Sequence, residues 1–230
     1  MDIFYNAVAS ITLGIEDFRE GTDARMLSAA RNYYAGLLLL GKECLVRAAP
    51  DADPMEVIGA KFEPVPDGDG GVDHDVVGFT TIDLDQLKGR FKKFDLPWPE
   101  VDIRKLQRLR NSLEHYHLQE PVGALKEAIA SSFPMVIEFF ETLDENPQDV
   151  LRNVWETILE ETDAFNKVQK SCIASIERLN WPGYVSRLDR MACSNSGSSL
   201  IGQADRENDD SESAVGKCFQ CGEEFDQQQL

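Results

Sequence analysis

The chain has 230 residues, 42% of them apolar, with twelve Phe and three Trp, which is enough to bury the core of one good-sized domain plus an extension. That composition excludes a wholly disordered chain, and no run approaches the ~20 consecutive apolar residues that a membrane-spanning helix needs. A formal net charge of −18 argues against indiscriminate binding to nucleic acid, because phosphate contacts require Lys and Arg.

Helix signals dominate in chain order. Ile3, Phe4, Ala7, Val8, Ile11, Ile15 and Phe18 recur at helical spacing over residues 3–18. Acids interrupt that apolar run and no basic leader precedes it, so no secretory signal is expected and the location reads as cytoplasmic. The five cysteines, an odd number and mostly scattered, then give no disulfide framework. Thr22 or Asp23 is the expected N-cap of a second helix that Pro50 stops near Ala49. Its Tyr33, Tyr34 and Leu37–Leu40 make it apolar nearly all round, the mark of a central helix. PDADP and PVPDGDGG then predict a long insertion loop at about 50–83. A short helix at 85–94, a break at Pro97-Trp98-Pro99 and a helix at 101–117 follow. Pro121 opens a helix over 121–143 that Pro134 kinks.

Beyond residue 145 a long amphipathic helix is expected over 146–183. There Leu151, Ile158, Phe165, Cys172 and Leu179 recur every seven residues, with Trp155, Val168 and Ile176 between them and Thr162 and Gln169 interrupting. This pattern suits either a coiled-coil seam or a helix packed across the bundle. Residues 184–216, rich in Ser, Gly, Asn and Asp, read as a flexible acidic linker before a Cys-x-x-Cys tail at 217–230. The expected fold class is all-α: a bundle of four to five helices over 1–145, then the long helix and the flexible tail.

The helix at 101–117 carries the most suggestive chemistry. At 100° per residue Leu106, Leu109, Leu113 and Tyr116 form one apolar stripe, which should face the domain's own core. Asn111 and His115, four apart, share the opposite face, with Arg110 at the border. A lone His on a helix is more often structural than catalytic, but this one points away from its own core. The surrounding stretch is basic. Residues 88–110 hold eight bases, Lys92, Lys93, Arg104, Lys105 and Arg108 among them, against three acids, a local charge of +5 set in a remainder of −23. Such an island can draw a polyanion to an acidic protein.

Arg110-Asn111-x-x-x-His115, preceded by the helix YYAGLLLLGKECLVRAA and set in IRKLQRLRNSLEHYH, resembles the HEPN superfamily over roughly residues 1–145. The resemblance implies an endoribonuclease that needs no metal and works as a homodimer, with Arg110 and His115 of both chains in one cleft and Asn111 orienting His115 or binding phosphate. A His titrating near neutrality can move the proton of a ribose 2′-hydroxyl, and Arg offers a fork of donors to a phosphate gaining charge. The implied product is a 2′,3′-cyclic phosphate, the track for the RNA is Arg104, Lys105, Arg108, Lys92 and Lys93, and the implied setting is a toxin or phage-defence effector with an antitoxin or regulatory partner. Some toxin members carry a modifiable Tyr two residues after the His. Here that position is His117, so that regulation is not carried across. The alternative is a non-catalytic dimerisation or adaptor protein acting through its helices and acidic tail.

Lys217-Cys218-Phe219-Gln220-Cys221-Gly222 has the form of one metal-binding knuckle, half of a zinc ribbon. A closed zinc site needs four ligands, no Cys or His follows Cys221, and Cys193 lies across the expected linker. Three readings stay open: a degenerate half-site, completion by a second chain, or no metal.

Overall fold

A computed structural model describes residues 2–115, 121–179, 192–195, 198–205, 207–219 and 221–225. Helix α1 (Ile3–Glu20) starts where the Asp2 carboxylate accepts the Tyr5 N–H at 2.8 Å, and it ends at Gly21, whose φ of +69° is left-handed. Helix α2 (Asp23–Ala48) lies against it, and both bury apolar residues at three- and four-residue spacing: Ala7, Ile11, Ile15 and Phe18 against Met26, Ala30, Tyr33 and Leu37. Two glycines allow the close approach. A Cβ on Gly14 would stand 2.6 Å from the Tyr33 backbone N, and one on Gly36 2.8 Å from that of Ile11.

The insertion expected as a loop is partly regular. Asp53 and Glu56 form a capping box for the short helix α3 (Pro54–Ile58). Strands β1 (Phe62–Pro66) and β2 (Val72–Val76) then pair antiparallel, Phe62 opposite Val76. The Asp67 carboxylate holds the tip by accepting the N–H groups of Asp69 and Gly71. Both strands are almost wholly exposed, so no buried face imposes a two-residue apolar period that sequence reading could detect. The hairpin's base is fixed by a bridge from Gly59 to Thr81 and by the Arg90 guanidinium, which donates to the carbonyls of Val57 and Gly59. The buried Lys42 ammonium donates to Thr81 Oγ1 at 2.9 Å, and burial lowers its pKa.

Helix α4 (Leu84–Lys93) opens on the Asp83–Gln86 capping box and buries Leu84, Leu87 and Phe91. Trp98 stacks edge-on against Phe91 (centroids 5.1 Å apart) and Phe139 (6.1 Å). After α5 (Arg104–His115), the kinked helix expected at 121–143 is two helices, α6 (Val122–Ala130) and α7 (Phe133–Thr142). Pro134 has no N–H to give the Ala130 carbonyl and its ring crowds that oxygen, so the break falls at Ser131-Ser132 and Pro134 takes the first turn of α7. Phe133 then packs edge-on against Phe18 and Tyr33, each at 5.4 Å.

The long helix expected at 146–183 is likewise divided. Helix α8 (Pro147–Leu151) leads through a 3₁₀ turn (Arg152–Val154) into α9 (Trp155–Glu177), with Arg152 at φ +48° between them. The heptad residues serve this chain itself: Leu151 and Ile158 join the bundle core, Cys172 and Leu179 are buried further along, and Phe165 between them is half-buried. This favours the packed helix over a free seam.

The fold is mainly helical but not all-α. Across the expected flexible linker and the Cys-x-x-Cys tail, strands β3 (Ile201–Gln203), β4 (Gly216–Cys218) and β5 (Glu224–Phe225) form an antiparallel sheet in that order. Strand β3 lies on α9: a Cβ on Gly202 would be 3.0 Å from Cys172 Cα, and the Ser175 hydroxyl accepts the Gln203 N–H at 3.0 Å. Ile176, Cys193, Ile201, Cys218 and Phe225 form a second small core here. Among the described residues no helix is long and apolar enough to cross a membrane.

Candidate functional site

Two places concentrate chemistry: the face of α5 that carries the Arg-Asn-x-x-x-His sequence, and the turns of the C-terminal sheet. Helix α5 begins where the Asp102 carboxylate accepts the Arg104 N–H at 2.9 Å. Leu106 and Leu109 are buried and Leu113 is half-buried, so the stripe faces the core as its spacing requires. Arg110 stands at the edge of that stripe. Its guanidinium lies 5.6 Å above the Tyr34 ring and Nη1 donates to Asn111 Oδ1 at 3.2 Å. Arg110 Nε is buried and has no hydrogen-bond partner among the described residues. Burial pushes the Tyr34 hydroxyl up to about 12, with Arg110 and Gln107 pulling it down. Asn111 is exposed.

His115 is the last residue of α5, one helical turn beyond Asn111. Its side chain, like Tyr116 and His117, lies outside the described residues. The last turn of α5 is anchored from α2, where Arg31 donates to the Glu114 carboxylate at 3.1 Å and to the Leu113 carbonyl at 3.3 Å. A cation at a helix C-terminus also complements the helix dipole.

The basic island divides into exposed and engaged cations. Arg104 and Arg108 on α5, and Lys92 and Lys93 at the end of α4, are exposed. Lys105 is not part of an open track, because its ammonium is engaged by the buried Glu127 carboxylate at 3.2 Å. Arg90 is spent on the hairpin base. A groove of about 400 Å³ between the start of α4 and residues 98–104 is lined by Lys88 and Arg104 but also by Asp85, Glu100 and Asp102. That mixed lining does not select an anion.

Sequence reading missed Glu127 as a hub. Its carboxylate also accepts the Ser199 backbone N–H at 3.0 Å and the Ser199 hydroxyl at 2.7 Å, joining α5, α6 and the C-terminal segment at one buried point. Only the general rule that a buried acid must be paired could have flagged it, and the sequence did not place it inside.

The C-terminal sheet brings together what the sequence kept apart. Sulfur atoms of Cys193, Cys218 and Cys221 all lie within 4.8 Å of one another, with Cys193 Sγ and Cys221 Sγ at 3.6 Å. A tetrahedral ion with Zn–S bonds of about 2.3 Å holds its thiolates about 3.8 Å apart, so the three residues fit a metal ion and could bind one. Cys193 and Cys218 are buried and Cys221 is exposed. Cys193 comes into range because its N–H donates to the Ser198 carbonyl at 2.8 Å while the Phe219 N–H donates to Leu200 O at 2.8 Å, setting the two segments side by side. No protein-family model, curated protein or solved structure matches this chain.

Proposed function

We propose that this chain is a HEPN-type endoribonuclease that cuts RNA without a catalytic metal, as a homodimer in which Arg110 and His115 of two copies meet in one cleft. The observation that carries it is the setting of Arg110. Stacked on Tyr34 and tied to the exposed Asn111, the guanidinium is held at the rim of the core, five residues before His115 on the same helix. A pre-positioned fork of donors is suited to a phosphate that gains charge in the transition state.

In this mechanism a ribose 2′-oxygen bonds to phosphorus as the bond to the 5′-oxygen breaks. One His115 takes the 2′-hydroxyl proton and the imidazolium of the other copy gives a proton to the leaving 5′-oxygen. The products are a 2′,3′-cyclic phosphate and a 5′-hydroxyl. Arg104, Arg108, Lys92 and Lys93 supply the backbone track, and Lys105 positions Glu127 instead. Cleavage of host RNA by a toxin or defence effector in the cytoplasm calls for an antitoxin or regulatory partner. The three clustered cysteines hold a structural zinc ion outside this chemistry.

The second reading, a non-catalytic adaptor, draws on Leu159 and Ile173, which α9 leaves 42% and 46% exposed.

Incubation with total RNA tests the proposal, using wild type, Arg110→Ala and His115→Ala, in magnesium-free buffer with the zinc-loaded protein and again in EDTA. Wild type alone is expected to cut, leaving cyclic phosphate ends, and loss of the His should cost about 10²–10⁴-fold. Equal cleavage by all three, or a requirement for added magnesium, overturns it.

A further inference from the structure

We infer that Glu223 is the fourth ligand of the cysteine cluster, so that the C-terminal sheet closes around a zinc site of three thiolates and one carboxylate. This rests on the reading that Cys193, Cys218 and Cys221 bind a metal. The chain's three His are His74, His115 and His117, so the segment from 118 to 230 supplies no imidazole. The position three residues after Cys193, where a second knuckle would carry its partner thiol, is Ser196. A carboxylate oxygen beside the knuckle can take the fourth position of a closed site.

Glu223 is placed for it. Gly222 takes φ +81°, its N–H donates to the Cys218 carbonyl at 2.8 Å, and the Cys218 N–H donates to Glu223 O at 2.8 Å. That tight turn brings the Glu223 side chain, which is half-buried, to one edge of the cluster: its Oε2 lies 3.2 Å from Cys193 Sγ. The next residue, Glu224, points to the other face of the strand and pairs with Lys217 at 3.1 Å. Among the described residues no Lys or Arg forms an ion pair with Glu223. The Glu223 carboxylate therefore reaches the cysteine cluster with no Lys or Arg ion pair of its own among the described residues, and a divalent ion bound there balances its charge. Each thiol that is protonated before binding releases its proton to solvent as its S–Zn bond forms, while the carboxylate binds as it stands.

Metal analysis of the full-length protein, titration against a chromophoric chelator and the spectrum of the cobalt(II)-substituted form provide the test. One zinc per chain is expected, with a cobalt spectrum of four-coordinate type. Glu223→Gln should keep the thiolate-to-cobalt bands, alter the ligand-field bands, and weaken zinc by at least the roughly 10–100-fold seen when supporting groups around metal sites are lost. Cys193→Ser should weaken it further, and helical circular dichroism confirms that each variant keeps its bundle. If Glu223→Gln binds with wild-type affinity and spectrum, Glu223 is not a ligand, though the three-cysteine reading stands. A Cys193→Ser variant that binds like wild type, or a wild type that binds no zinc, removes the three-cysteine reading as well. Half a zinc per chain places the missing ligand on a second copy and overturns the role of Glu223.

Discussion

Replacing Glu127 by Ala removes the acceptor on which α5, α6 and residue 199 converge. The Glu127 side chain is 4% exposed and its partner Lys105 33% exposed. Truncating one member of a buried ion pair costs about 3–5 kcal/mol, and the partial exposure of Lys105 places this pair at the low end, since water can take up its ammonium. The Ser199 N–H loses both carboxylate oxygens at once, but Ser199 itself is exposed and water can take their place, so this adds little. A net loss of about 3 kcal/mol follows, which lowers the melting temperature of a chain this size by roughly 6–12 °C at about 2–4 °C per kcal/mol. Ser199→Ala removes only the hydroxyl contact to a charged acceptor and should cost about 1.5 kcal/mol. Thermal melts followed by circular dichroism give the ordering, and amide hydrogen exchange at Ser199 gives the location. If Glu127→Ala melts within about 2 °C of wild type and Ser199 stays protected, the carboxylate does not hold the C-terminal segment to the bundle and the reasoning fails.

Two glycines should respond oppositely to Ala. Gly14→Ala puts a methyl 2.6 Å from the backbone of α2, where no side chain can yield, and should destabilise by about 1–3 kcal/mol; Gly89→Ala in α4 meets nothing within 4 Å and should stabilise by about 0.5–1 kcal/mol, both read from melts. Burial raises the Cys44 thiol from its ordinary 9.0 to about 12 and the Tyr34 hydroxyl from 10.0 to about 12. The unfolded chain therefore gives up these protons first, so stability is full below about pH 9 and falls as pH rises toward 12; Cys44→Ala should flatten the first part of that decline in melts taken across the range. For RNA affinity, Arg104→Gln and Arg108→Gln should each weaken binding and reduce the salt slope by roughly 0.7 on a single strand. Lys105→Gln should leave that slope unchanged, and a drop equal to the others would contradict the ion pair with Glu127.

What the sequence made legible was what apolar periodicity encodes. The three- and four-residue spacing in α1 and α2 and the stripe of Leu106 and Leu109 each follow from local geometry, and the 100° wheel placed Arg110 at the border of the core and Asn111 outside it. An interruption near Pro134 follows in the same way, though the expectation is a kink where the helix divides at Ser131-Ser132. The C-terminal sheet escaped because little apolar area holds it. Gln203 is buried by hydrogen bonds to Ser175 of α9, Gly202 by its close approach to that helix and Ser198 by the turn to Leu200, while Glu127 holds the neighbouring Ser199; composition reads such residues as linker. The same blindness left Cys193 across an expected linker, whereas it approaches Cys221 through pairing of segments 28 residues apart. Lys105 read as one more cation of the basic island, since its partner stands 22 residues away on another helix.

The β1–β2 hairpin offers a practical handle. Its base is clamped by Arg90, Lys42 and the Gly59–Thr81 bridge, whereas positions such as Gly68 and Gly70 at its tip face open space. A fluorophore or an inserted epitope at the tip therefore sits in open space on a short anchored stalk. Energy transfer between two such labels would report whether copies of the chain associate, with neither site altered to obtain the answer.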